Sequence, residues 1–263
     1  MIQPEVPRQP GFLTRAGSTA INVVPPALII LALFGAWELY VELSGIDRVT
    51  LPAPSRVLEV AWRNRDLLAE HSVITLQEAA LGLAASISFG VSIALLIDAL
   101  APVRRGLYPL LVGSQTLPVV VIAPLFVLWF GFGIGPKILV VMLYTFFPIT
   151  VAFASGLAVA DDEARMLLRT LGASRWQTLR MLQIPQALPY LFTGLRIAVT
   201  YAIVGAVFAE WSGSTGGLGN YVLLMRNSFR TDMVLAAIFL IAVLSLGLFV
   251  LVGLIEKAVV RWR

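Results

Sequence analysis

Long apolar runs separated by short polar stretches make up most of this chain. A helix rising 1.5 Å per residue needs about 20 apolar residues to cross the hydrocarbon of a bilayer. Runs of that kind fall near 24–43, 77–99, 107–130, 137–157, 189–210 and 234–255. The pattern predicts an all-α membrane protein with six transmembrane helices. Pro109, Pro118 and Pro124 interrupt the third run and Pro148 the fourth. Each proline removes a backbone donor, so kinked helices lining a path are one expectation, and the ordinary abundance of proline in membrane helices is the other. Residues 1–22 hold Pro4, Pro7, Pro10 and Gly11 with few large apolar side chains. They read as a disordered tail without the apolar core of a signal peptide, leaving 23–263 as one membrane domain.

The connection near 158–188 is too charged to span and too patterned to be shapeless. Ala164, Leu167, Leu168 and Leu171 recur at i, i+3, i+4 and i+7, one apolar face of a helix. Asp161, Asp162 and Glu163 sit where a helix N-terminus favours negative charge, and Gly172 stands where that helix would stop. A second short helix is expected over Ser174–Leu182, before Pro185 and Pro189. The result is a helix–turn–helix between the fourth and fifth spans. Its apolar face serves either as an interfacial helix in the headgroups or as a knob offered to a soluble protein.

Composition narrows the classes. Apolar residues are 59% of the 263 and charged ones 13%, against roughly 45–50% and 25% in soluble domains, which argues against a soluble enzyme. The net charge of +4 comes from 19 basic and 15 acidic residues scattered between apolar runs, without the stripe that a nucleic-acid partner needs. There are no cysteines, and the single histidine, His71, cannot build a metal cluster alone. Gly131-Phe132-Gly133-Ile134-Gly135 lacks the Gly-Lys-Ser/Thr ending of a phosphate-binding loop, and the two lysines, Lys137 and Lys257, lie elsewhere. These glycines are read as the end of the third helix and its turn outside the membrane. With both termini inside, eleven basic residues face the cytoplasm and seven face outward, with Arg196 in the fifth span. The positive-inside rule therefore favours cytoplasmic termini. No repeat of one half in the other is visible, which weighs against an inverted-repeat secondary transporter.

Charges in or near spans are candidates for function. Asp98 and Glu210 are expected near span ends and within reach of water, and Glu78 is expected to open the second span. Arg196 would either pair with an acid or snorkel to the surface. Gln115, Thr116, Tyr144, Tyr201 and Glu210 are taken as a solute path, with helix-to-helix hydrogen bonding as the alternative for the first four.

The string Arg169-Thr170-Leu171-Gly172-Ala173-Ser174, followed by Leu182-Gln183-Ile184-Pro185, resembles the cytoplasmic-loop signature of binding-protein-dependent ABC importer permeases. That signature is a Glu-Ala-Ala triplet, a glycine four residues after it, then nine residues and Ile-x-Leu-Pro. Gly172 matches the glycine, and Leu182, Ile184 and Pro185 match the tail. Met166-Leu167-Leu168 stands in place of the triplet, so the family's acidic residue is missing, with Glu163 one turn earlier as a substitute. The resemblance implies that Glu163, Leu167, Leu168, Leu171, Gly172, Ala173 and Pro185 form a coupling helix–turn–helix docking on a cytoplasmic ATPase.

Leu51-Pro52-Ala53-Pro54-Ser55 and Ala123-Pro124-Leu125-Phe126-Val127-Leu128-Trp129-Phe130-Gly131-Phe132-Gly133 are similar to the branch serving sulfonates, taurine, nitrate and thiamine-pyrimidine precursors. Gly194-Leu195-Arg196, Thr200-Tyr201-Ala202, Ala209-Glu210-Trp211 and Asn227-Ser228-Phe229-Arg230-Thr231-Asp232 look most like permeases for the pyrimidine precursor of thiamine. By resemblance the chain is a permease, not an enzyme, that moves a small polar or anionic solute by alternating access. Its implied partners are ABC ATPase subunits, an extracytoplasmic solute-binding protein, a second permease subunit in a homodimer, and the bilayer of the cytoplasmic membrane. It would bind no cofactor, with ATP and Mg used by the ATPase. An ion-coupled secondary transporter using Glu78 or Asp98, and a scaffold that recruits a partner without transport, are the rival readings.

Overall fold

The computed structural model describes residues 12–47 and 49–261, and among them the chain forms helices and no strand. Helix α1 covers Phe12–Ser44, α2 Pro54–Arg63, α3 Arg65–Ala99, α4 Ala101–Ser114, α5 Val119–Phe130 and α6 Ile134–Ala158. Then follow α7 (Asp162–Thr170), α8 (Arg175–Thr178), a π-helical turn (Leu179–Gln183), α9 (Ile184–Trp211), α10 (Leu218–Asn227) and α11 (Thr231–Val259). Five stretches are long and apolar enough to cross a membrane: Val24–Ser44 within α1, then α3, α6, the run Arg175–Trp211, and α11. Of the tail expected to be disordered, residues 1–11 lie outside the described residues, and α1 already covers residues 12–22.

The third run differs from a plain span. Its two halves meet at 98°, so it counts as a sixth crossing only as a bent pair. The cause is local: Pro118 has no N–H and drives Leu117 out of helical geometry. The break closes with Thr116 N–H donating to the Gly113 carbonyl and Leu117 N–H to that of Ser114. Pro148, by contrast, sits inside an unbroken α6. The fifth crossing also differs, because α8 and the π-turn lead straight into α9, with Pro185 in its first turn where no amide donor is needed.

The centre of the bundle is α6, packed most extensively against α9 and α3. Small residues bring these backbones close, as is usual where lipid supplies no hydrophobic drive between helices. A Cβ on Gly194 would lie 2.6 Å from the Pro148 carbonyl oxygen, and one on Gly156 would lie 2.9 Å from the Ala187 Cα. Ala79, Val141, Ala202, Ile203 and Ala206 fill the contact at the middle. The apolar stretch of α1 is largely bare on the isolated chain, as a lipid-facing helix is, whereas α11 packs one side against α9 and α10 and leaves the other open.

Candidate functional site

The α7–α8 hairpin lies at one end of the bundle and is built by its own caps. The Asp161 carboxylate accepts the Glu163 N–H at 3.0 Å, starting α7. At its end the Ala173 N–H reaches the Leu168 carbonyl at 2.9 Å and the Gly172 N–H that of Arg169 at 3.0 Å. This pair of bonds is a Schellman closure, and it needs the left-handed φ of +83° that Gly172 adopts. Ser174 and Gln177 then form a reciprocal capping box that starts α8.

The caps leave a blunt tip. Leu171 is 74% exposed and Leu167 60%, while Ala164, Leu168 and Ala173 are half-buried, so the expected apolar face is covered on one flank and open on the other. No atom lies within 4 Å of where a Gly172 Cβ would stand. Glu163 is exposed, and Pro185 is half-buried at the base of α9.

At the other end of α9 is a buried polar cluster whose members the sequence pattern did not bring together. Glu210 is 1% exposed, which corrects its expected access to water. One carboxylate oxygen accepts the Thr75 hydroxyl at 2.7 Å, and the other accepts the N–H groups of Gly219 at 2.5 Å and Asn220 at 3.2 Å. The Leu218 N–H donates to Thr75 Oγ1 at 2.8 Å, and the Gly217 N–H to His71 Nδ1 at 3.0 Å. The amides that open α10 would otherwise be orphans in a dry setting, and side chains from α3 and α9 satisfy them. Glu210 thus acts as a tertiary cap, one oxygen joining α9 to α10 and the other tying α9 to α3.

Beside it, Lys137 at the first turn of α6 donates to Glu78 at 2.5 Å and to Ser214 Oγ at 2.7 Å. Glu78 does not open a span: α3 starts at Arg65, and Glu78 is 2% exposed within it. The Tyr221 ring lies against that of His71, tilted at 47° with ring centres 5.2 Å apart. Burial pushes its phenol above the ordinary tyrosine value, so it remains a neutral donor, here to Met233 Sδ at 2.9 Å. Sequence reading missed this assembly because its partners lie on four elements. One signal was present: His71, Thr75 and Glu78 recur at i, i+4 and i+7 on one face of α3.

The other expected residues scatter. Gln115 and Thr116 are exposed at the α4–α5 break, with the Thr116 hydroxyl donating to the Gly113 carbonyl at 2.7 Å. Tyr144 is half-buried and stacked on Phe208 at 6.0 Å, and Tyr201 is 47% exposed on α9. Among the described residues no hydrogen bond joins any two of these four to each other. Arg196 pairs with Glu256 of α11 at 2.7 Å, which decides for pairing over snorkelling. Asp98 is exposed and accepts from Gln183 Nε2 at 3.4 Å.

Helices of this length around a small-residue core make the chain a multi-pass membrane protein. Residues 86–261 match the family described as binding-protein-dependent transport system inner membrane component, and the chain belongs to that family. It is 38% identical to the formylaminopyrimidine transport permease protein ThiX of Halalkalibacterium halodurans, over 92% of this chain and 97% of that protein. It is 35% identical to the riboflavin transport system permease protein RibX of Chloroflexus aurantiacus, over 91% and 90%. With the taurine transport system permease protein TauC of Escherichia coli it shares 30% identity over 88% and 86%. The solved structure of an amino acid ABC transporter with histidines superposes with a TM-score of 0.59 at 15% identity, over 77% of this chain and 96% of that one, a likeness of fold. The chain is thus an inner-membrane ABC importer permease for small solutes and not an enzyme. Membership of this family implies an ATPase and a solute-binding protein as partners, and it sets aside the ion-coupled transporter and the scaffold.

Proposed function

We propose that two copies of this chain form the path of an importer for the pyrimidine precursor of thiamine. In this reading the α7–α8 hairpin faces the cytoplasm, where the termini also lie, and its Leu171–Gly172 tip enters a groove on an ATPase subunit that hydrolyses ATP with Mg. Leu167, Leu168, Ala173 and Pro185 shape the hairpin, and Glu163 stands in for the family's acidic residue. The observation that carries the reading is the tip itself: a leucine 74% exposed beside a glycine whose surroundings are empty. Docking would cover both.

ATPase closure then moves the hairpin, and the continuous α8–π-turn–α9 rod passes that displacement to the far end of the bundle, where Glu210 holds α10. Support for the solute comes from the ThiX relative, which this chain matches over nearly its full length. Support for pairing comes from the bare apolar side chains of α5 and the turn after it, with Leu128, Trp129, Phe130 and Phe132 all more than 60% exposed. Gln115, Thr116, Tyr144 and Tyr201 are assigned to the path between the copies. A second reading, sulfonate or taurine transport, is favoured by the TauC relative, with nitrate as a further anion of the same branch.

Uptake of labelled thiamine pyrimidine precursor, compared in cells with and without this gene and with taurine and nitrate as competitors, tests the solute. Loss of uptake with the gene, untouched by competitors, is the expected result. Gly172→Trp tests the hairpin: it should insert in the membrane at normal levels yet neither retain the ATPase nor transport. Normal transport by that variant would overturn the docking assignment.

A further inference from the structure

One oxygen of the buried polar cluster is left over. Glu78 Oε1 takes the Lys137 ammonium, but Glu78 Oε2 is buried and has no hydrogen-bond partner among the described residues. A carboxylate oxygen stripped of water and given no donor is costly, so it calls for an explanation. Glu210 is the opposite case: Oε1 accepts from Thr75, and Oε2 accepts from the amides of Gly219 and Asn220. The two carboxyls lie within hydrogen-bonding reach of each other. As two carboxylates, neither could donate to the other, and like charges in contact oppose joint ionisation.

Two carboxylates against Lys137 alone would also leave one negative charge unbalanced. Among the described residues, no other group on the surrounding helices supplies the missing positive charge. His71 Nδ1 accepts the Gly217 N–H, so this imidazole carries no proton there and is neutral. On α10, Tyr221 donates to Met233 Sδ. On α11, Asp232 is engaged by Arg230 and by Arg56 of α2, and further along α9 Arg196 is engaged by Glu256. Helix α5, which packs on α6 and α9, has no titratable side chain.

We propose that Glu78 and Glu210 bind one resident proton between them, as a hydrogen-bonded acid–carboxylate pair whose single negative charge Lys137 balances. The proton turns Glu78 Oε2 into a donor toward Glu210, so all four carboxyl oxygens have a partner. Two carboxyls this close titrate as a unit. Release of the proton to water would leave two negative charges in contact, and the pair would have to separate. Glu210 holds the amides that open α10, and Glu78 holds Lys137, so separation loosens α10 and α6 from α3. The inference depends on neither the transported solute nor the docking of the hairpin.

Infrared spectroscopy of the full-length permease in an ester-free detergent at pH 6.5 reads the proton directly, because a protonated carboxyl has a C=O stretch that no carboxylate has. The wild type should show this band. Glu78→Gln and Glu210→Gln should each lose it, since the carboxylate that remains then faces Lys137 without a second carboxyl beside it. Absence of the band from the wild type, or its persistence in either variant, overturns the proposal.

The pH dependence of unfolding gives a second readout. In the unfolded chain both glutamates return to an ordinary value of about 4.3 and are ionised above pH 6, so unfolding releases the proton. The unfolded state then binds one proton fewer, and the unfolding constant should rise about tenfold per pH unit for as long as the folded pair keeps its proton. In Glu78→Gln an amide donates to Glu210 instead, and that contribution should vanish. His71 contributes alike to both proteins, so the difference between their slopes isolates the pair. Should Glu210→Gln fail to fold, this near-isosteric variant still decides: a slope equal to that of the wild type refutes the shared proton.

Discussion

Lys137 Nζ lies 2.5 Å from Glu78 Oε1, with the two side chains 12% and 3% exposed. An ion pair this dry joins the first turn of α6 to the middle of α3, and Ser214 of the α9–α10 turn accepts a second hydrogen bond from the ammonium. Desolvation of the two charges offsets much of their attraction, so the pair's influence is greatest when one member is removed. Together with the Glu210 cap, it ties three spans and α10 into one end of the bundle.

Lys137→Met should therefore leave the Glu78 carboxylate buried alone and lower stability by about 3–5 kcal/mol. Adding Glu78→Gln to that variant should restore most of the loss. Thermal unfolding in detergent, followed by circular dichroism, gives both numbers. Losses that simply add would mean that the two groups do not act as a pair.

Gly217 has φ +95°, and a Cβ there would overlap the Glu210 carboxyl. Gly217→Ala should cost at least about 1–2 kcal/mol from backbone conformation and push Glu210 off the amides of Gly219 and Asn220. The chain has no native cysteine, so Val222→Cys is a clean reporter for α10. Its maleimide labelling, slow in the parent because Val222 is buried, should accelerate when Gly217→Ala or Glu210→Ala is added. Unchanged labelling would show that the cap does not hold α10.

Leu171→Ser removes an apolar side chain that touches little in the isolated permease. The melting temperature should not move, while ATPase retention on affinity purification should fall about tenfold or more, the loss expected when a buried leucine contact disappears from an interface. A stability loss with normal retention would place Leu171 in the permease's own packing instead.

Arg196 and Glu256 join α9 to α11 at 2.7 Å, but Arg196 is about a third exposed. A double-mutant cycle of Arg196→Gln and Glu256→Gln should give a coupling of about 1 kcal/mol or less, far below that of the drier Lys137–Glu78 pair. A larger coupling would show that lipid, not water, surrounds the arginine.

What the order of residues settled is local. Apolar length alone placed four crossings and the apolar part of α1, because a bilayer admits only helices about 20 residues long. The Asp161 cap, the Gly172 stop and the Ser174–Gln177 box are all contained within 17 residues, so the hairpin could be read directly. The break at Gln115–Pro118 was half visible: the prolines announced a disturbance, but a 98° turn depends on whether neighbouring helices rescue the freed carbonyls.

The polar clusters are a different matter. Lys137 is 59 residues from Glu78, and Thr75 is 135 from Glu210. Read one at a time, each charge looked like a solvated residue at a span end or in a loop, and His71 like a histidine without a role. Only the packing of α6 between α3 and α9 puts these groups within hydrogen-bond distance. Once they are excluded from water, they must satisfy one another, since an unpaired polar group in that setting costs more than the order needed to pair it. Periodicity along a chain fixes which face is apolar, but three-dimensional packing alone decides which polar groups on separate elements become neighbours.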